Sequence, residues 1–169
     1  MKTLIGIISF ALIITGCAES RGVDKQQSAD DTAPENSSEK AGEHKAVWLT
    51  DFEAAKKEAA ERQIPLLVNF SGSDWCGWCI RLEKEVFDKQ EFIEYASENL
   101  VLFKADFPRS KELPEKTREQ NAGLARKYGV QGFPTILLLD SEGKAIGKTG
   151  YRRGGPSKYV EHLKEMLAE

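Results

Sequence analysis

The sequence predicts an α/β domain with a mixed central sheet flanked by helices, and three observations carry that prediction. From about residue 47 onward, helix-like and strand-like stretches follow one another as helix, strand, helix, strand, helix, strand, strand, helix. The apolar run Pro65-Leu66-Leu67-Val68-Asn69-Phe70 leads into Trp75-Cys76-Gly77-Trp78-Cys79 and then into a helix-like stretch, so two cysteines stand where a strand ends and a helix begins. Late in the chain, Ile136–Asp140 and Lys144–Thr149 flank the turn Ser141-Glu142-Gly143, a hairpin that adds antiparallel pairing.

Each element has a local reason. The domain begins near Val47-Trp48, and Thr50-Asp51-Phe52-Glu53 has the form of a capping box. The helix behind it reaches Gln63, with Phe52, Ala55, Ala59 and Ala60 on or near one face. Pro65 ends that pattern and the buried strand follows. A helix spans about Gly77 to Asp88 and a shorter one lies within Glu91–Glu98. Leu100–Ala105 reads as a strand, Phe107 to about Lys116 as a loop holding Pro108 and Pro114, and Thr117–Tyr128 as a helix stopped by Gly129. A proline at the start of a strand cannot donate to the ladder, which suits Pro134 ahead of Ile136–Asp140. Gly150–Gly155 is a loop, and Pro156 fits the first turn of a last helix that directs Val160, Leu163 and Leu167 to the core.

The cysteine pair carries the chemistry. The first N–H groups of a helix lack intrahelical partners and carry partial positive charge. A thiol at that position loses its proton more readily, and the thiolate is the nucleophile. Cys79 falls one turn deeper, where it can attack Cys76.

The N-terminus has the pattern of a targeting segment. Lys2 is a positive n-region, and Leu4–Ile14 is an apolar run too short to span a bilayer comfortably. Ile14-Thr15-Gly16-Cys17 resembles the bacterial lipobox, which implies cleavage before Cys17 and its lipidation. The expected organisation is a signal peptide at 1–16, a lipidated, disordered tether at 17–45 and the folded domain at 46–169. With Cys17 acylated, only Cys76 and Cys79 remain as thiols among the three cysteines, in a compartment where disulfides persist, and a four-cysteine zinc site is excluded. A formal net charge of −3 gives no electrostatic footprint for nucleic acid.

On these motifs the chain from about Val47 to Glu169 resembles thioredoxin-fold proteins. The motifs are Val68-Asn69-Phe70 ahead of the cysteines, Lys127-Tyr128-Gly129-Val130, Gly132-Phe133-Pro134-Thr135 and Gly150. Cys79–Phe87 further resembles the C-terminal domain of bacterial thiol:disulfide interchange proteins, and the related small extracytoplasmic thioredoxin-like proteins. The resemblance implies a cis peptide before Pro134, packing of Pro134 against the disulfide, and a Phe133 backbone placed to pair with an extended substrate segment. It implies a substrate-facing Gly150, which a turn glycine would also explain.

The chain departs from the family at Asn69, where thioredoxins carry a buried aspartate, and Phe70–Cys76 is one residue longer. Glu83, four residues after Cys79 on the same helix face, is the candidate proton acceptor, or else a solvated residue paired with a base. Trp75 flanks the sulfur or packs, and Gly77-Trp78 between the cysteines tunes the redox potential. Arg109, Lys111, Lys116 and Arg118, like Arg152-Arg153, read first as solvated loop residues and second as a patch for an acidic partner. His44 and His162 are expected to be solvent-exposed.

The implied function is extracytoplasmic thiol:disulfide exchange. It reduces protein disulfides through Cys76 and Cys79, without metal or organic cofactor, in a monomer anchored by lipid and supplied by a membrane electron donor. The rivals are a disulfide oxidase or isomerase on the same scaffold, and a thiol-based binding module or copper chaperone.

Overall fold

The computed structural model describes residues 46–168. The expected leader, Cys17, the tether, His44 and Glu169 lie outside them.

Five strands form one sheet: β1 (Trp48–Leu49), β2 (Leu66–Ser71), β3 (Val101–Asp106), β4 (Thr135–Leu139) and β5 (Ala145–Thr149). Their order is β1-β3-β2-β4-β5, with β3 parallel to both β1 and β2, and β4 antiparallel to β2 and β5. The mixed sheet is thus present, extended by β1, a two-residue edge strand too short to show a period in the sequence.

The helices are α1 (Phe52–Arg62), α2 (Gly77–Leu82), α3 (Gln90–Asn99), α4 (Glu115–Lys127) and α5 (Gly155–Ala168). α2 continues without a break into a π-helical turn, Glu83–Phe87. Side chains of alternate parity divide the core across the sheet. Leu67, Leu102, Ile136 and Leu138 pack against Leu82, Val86, Phe87, Phe92 and Tyr159 on one face. Leu66, Val68, Phe70, Phe103 and Leu137 pack against Phe52, Ala55, Ala59 and Leu124 on the other.

Local details correct the sequence reading. Asp51, not Thr50, caps α1, its carboxylate accepting from the Ala54 N–H at 3.0 Å. Gln120 of α4 fixes that start from outside: its side-chain oxygen accepts from Phe52 N–H at 2.9 Å and its amide donates to the Thr50 carbonyl at 2.9 Å. Ala60 is exposed, because the buried stripe is Phe52, Ala55 and Ala59. α4 begins two residues earlier than expected, directly after Pro114. In α5, Tyr159 joins Val160 and Leu163 in the core, while Leu167 is half-buried.

Candidate active site

The strand β2 delivers the chain to the site, and a tight turn reverses it into α2. Trp75 and Cys76 N–H both donate to the Gly72 carbonyl, at 3.3 and 2.9 Å. Position 72 requires glycine because a β-carbon there would come within 2.5 Å of the Trp75 indole. Cys76 is the N-cap of α2, and its sulfur accepts from the Cys79 N–H at 3.3 Å. Its carbonyl accepts from the N–H groups of Cys79 and Ile80, each at 3.0 Å. The two cysteines form a disulfide, with Cα atoms 5.2 Å apart. Both are nearly buried, Cys76 at 7% exposure and Cys79 at 4%, so accessibility separates them little. Position at the helix start separates them: the Cys76 sulfur faces the amide dipoles, which stabilise a thiolate there.

The Phe133–Pro134 peptide is cis. Trp75 stands edge-on to Phe133 with ring centroids 5.9 Å apart, and Phe133 stacks on Phe107 at 5.0 Å. Gly150 lies beside this segment; a β-carbon on it would sit 3.1 Å from the Pro134 carbonyl oxygen. The Tyr159 hydroxyl donates to the Gly150 carbonyl at 3.1 Å, tying that loop to α5. Trp78 is half exposed and packs on Tyr151, the next residue in the loop, at 5.0 Å. Trp75, the residue before Cys76, thus meets Phe133, whose cis peptide to Pro134 borders Gly150, and Trp78, between the cysteines, meets the residue after Gly150.

Glu83 follows Cys79 by one helical turn, at the junction of α2 and the π-helical turn. Its carboxylate accepts from the Lys104 ammonium at 2.9 Å, and both side chains are about three-quarters buried, at 28% and 21% exposure. They line a cleft of about 240 Å³ with Ser71, Ser73, Cys79 and Asp88. The base that pairs with Glu83 thus comes from β3, not from its own helix. Asn69 shares the Leu67 face of β2, opposite Lys104 in the β2–β3 register, and is buried with its side-chain oxygen unpartnered. His162 is only 18% exposed at its side chain and lies 3.0 Å from the Thr149 hydroxyl, so the expected exposure does not hold.

Sequence reasoning missed two groups of residues. The first is Asp74, in the lengthened segment before Cys76. Its carboxylate accepts from the N–H groups of Arg109 and Ser110, at 3.0 and 2.7 Å, and from the Ser110 hydroxyl. Ser73 reinforces the clamp by donating to the Asp106 carboxylate through its N–H (3.0 Å) and hydroxyl (2.7 Å), and the Trp75 indole N–H donates to the Phe107 carbonyl at 2.8 Å. Arg109 is thereby held with its guanidinium carbon 3.7 Å from the Trp75 ring centre. The extra residue ahead of Cys76 was the signal available for this clamp. The second group is Arg81, Glu85 and Tyr151. Glu85 accepts from the Tyr151 hydroxyl and from Arg81, each at 2.6 Å, and those bonds hold its carboxyl below the usual range.

The clamp predicts an acid response. The Ser110 hydroxyl, then the Ser110 and Arg109 amides, hold the Asp74 carboxyl down at about 2, from an ordinary 3.8. A depressed carboxyl contributes stability above its unfolded value and loses it as pH falls through its folded value. The Arg109 and Ser110 amide resonances should therefore titrate with a midpoint near 2, and a midpoint near 3.8 would mean that the clamp is not made in solution. Asp106 moves the same way: burial opposes its charge, but the Ser73 hydroxyl and amide and Lys111 outweigh it.

Residues 52–166 match the thioredoxin-like domain family. DsbH of Chlamydia pneumoniae, named a disulfide bond reductase, is 34% identical over 120 residues, spanning 71% of this chain and 72% of its own. A solved structure of a DsbH oxidoreductase is similar with a TM-score of 0.72 and 29% identity, covering 85% of this chain and 95% of that one. The oxidised C-terminal domain of Neisseria meningitidis DsbD shares the fold, with a TM-score of 0.50 at 18% identity over 67% of this chain and 90% of that domain. With this match over most of its length, a C-x-x-C disulfide at the start of a helix and a cis-proline ahead of β4, the chain belongs to the thioredoxin-like family.

Proposed function

We propose that this thiol:disulfide oxidoreductase works outside the cytoplasm and runs in the reducing direction, on disulfides of extracytoplasmic proteins. The observation that carries the reading is the Cys76–Cys79 pair at the N-terminus of α2, with the Cys76 sulfur accepting a helix N–H. The likeness to a protein named a disulfide bond reductase, over about seven-tenths of both chains, supports the direction.

In this reading the Cys76 thiolate attacks one sulfur of a substrate disulfide. A mixed disulfide forms, and the other substrate sulfur leaves as a thiolate and takes a proton from solvent. Glu83 accepts the Cys79 proton through the cleft that both residues line. The Cys79 thiolate then attacks the Cys76 sulfur, expels the second substrate thiolate and leaves the Cys76–Cys79 disulfide. Two electrons have passed to the substrate, and a membrane donor returns them. Trp75, Phe133, Pro134 and Gly150 form the surface on which an extended substrate segment lies, and Gly77 and Trp78 set the potential. The two sulfurs suffice, without metal or organic cofactor. The domain acts as a monomer, tethered through residues 17–45 to a lipid on Cys17, in the periplasm or at the cell surface. No helix among the described residues is long and apolar enough to cross a membrane.

The test is the equilibrium reduction potential of the protein, followed by tryptophan fluorescence. The expected value lies near about −270 mV, that of a thioredoxin-like reductant, whereas a value between about −180 and −120 mV would assign oxidase or isomerase chemistry instead.

A further inference from the structure

The chain is acidic overall, with a formal net charge of −3, yet the rim of its active site is built from arginines. On the Trp75 side, Arg109 lies against the indole, and its backbone is fixed by Asp74. On the Trp78 side, Arg152 and Arg153 are exposed in the loop that begins at Gly150, and Arg153 is near enough for its charge to act on Glu85 and Tyr151. Arg109, Arg152 and Arg153 make no ion pair with any carboxylate among the described residues.

Three acids around this rim are already engaged. Asp74 is filled by the amides of Arg109 and Ser110 and by the Ser110 hydroxyl. Glu85 is held by Arg81 and Tyr151. Asp106 is bound to Ser73 and to Lys111, at 3.1 Å from the ammonium. Glu112 is the exposed acid on the Arg109 loop. A guanidinium packed flat on an aromatic ring has already lost much of the side-chain freedom that an exposed arginine forfeits on binding, and its edge N–H donors stay available for a carboxylate. The loop that reads as solvated from its composition carries, at Arg109, a cation packed against Trp75, the residue before Cys76.

We propose that this face selects disulfides whose flanking residues are acidic, with Arg109 as the principal reader on the Trp75 side and Arg152 and Arg153 as a second site on the Trp78 side. The proposal rests on the oxidoreductase reading above and names its substrate class. Complementary charge at the rim of an interface acts mainly on the rate of productive encounter, so the selection should appear in kcat/KM and weaken with salt.

The test uses the reduced protein and two peptides, each holding one disulfide, one flanked by glutamates and the other by lysines. Reduction of a small neutral disulfide by the same preparation establishes the exchange activity independently. The glutamate peptide should be reduced about tenfold faster at low salt, with the preference shrinking to about twofold at high salt. Arg109→Gln should cut the low-salt preference to about threefold or less, Arg109→Lys should retain most of it, and Arg109→Glu should cancel or invert it. A change in folding alone would slow both peptides and leave their ratio intact. Equal rates for the two peptides, or a preference unmoved in Arg109→Gln, would overturn the proposal while exchange on the neutral disulfide stood. Failure on all three disulfides would instead remove the oxidoreductase reading.

Discussion

A Cys79→Ser variant is expected to accumulate mixed disulfides with its substrates through Cys76, and to lose multiple-turnover reduction to the uncatalysed background. The geometry sets this asymmetry. Cys76 caps α2, where unpaired helix amides favour negative charge on sulfur and the Cys79 N–H already donates to it. Cys79 lies one turn inside, at 4% exposure, and lines a cleft with the Glu83–Lys104 pair. Removing its sulfur leaves the first exchange intact and deletes the second, so the covalent intermediate has no resolving partner. Non-reducing gels and mass spectrometry of the trapped adducts read the result directly. Cys76→Ser should give no adducts. Comparable trapping in the Cys76→Ser variant would mean that Cys79 is the attacking sulfur and that the helix-terminal argument fails.

The largest stability effect is expected at Phe87. This residue ends the π-helical turn that follows the active-site helix, and it is essentially buried at 1% exposure. Its ring packs against Trp48 of β1 at 5.1 Å, Phe92 of α3 at 4.8 Å and Tyr159 of α5 at 5.9 Å. One side chain therefore joins an edge strand and two helices to the end of the cysteine-bearing helix. Phe87→Ala should lower the unfolding free energy by about 3–5 kcal/mol, the cost of lost burial plus an unfilled cavity. Against a typical total of about 5–15 kcal/mol, that leaves a marginal fold. In urea the midpoint should fall with the slope unchanged, and Phe87→Leu should recover much of the loss. A loss below about 1 kcal/mol would mean that the aromatic cluster repacks and does not anchor the helix.

What the sequence determined by itself is what local pattern encodes. The buried strand before the cysteines, the helix after them, the late hairpin and the amphipathic last helix each follow from period, breakers and turn residues within a few positions. The resemblance carried by Gly132-Phe133-Pro134-Thr135 and Cys76-Gly77-Trp78-Cys79 supplied the family, and the alternation of elements supplied the mixed sheet. Even the departure at Asn69 was legible, because it sits one strand upstream of the motif. The two-residue strand β1 was not, since two residues cannot display a period and only pairing with β3 makes them a strand.

The tertiary structure decided the rest, because the contacts in question join residues far apart in the chain. Glu83 finds Lys104 across 21 positions, Asp74 finds Arg109 and Ser110 across 35 and 36, and Glu85 finds Tyr151 across 66. No local rule distinguishes Arg109 from Lys111 in a loop rich in bases. The difference arises only when Asp74 pins the Arg109 backbone and Trp75 offers its ring. The same holds for Gln120, whose side chain completes the start of α1 from 68 and 70 residues away. Periodicity reports which face of an element is buried, whereas a hydrogen bond between two polar side chains depends on where the whole fold brings them. That is why the chemistry of the two sulfurs could be read from the chain, and the charged frame around them could not.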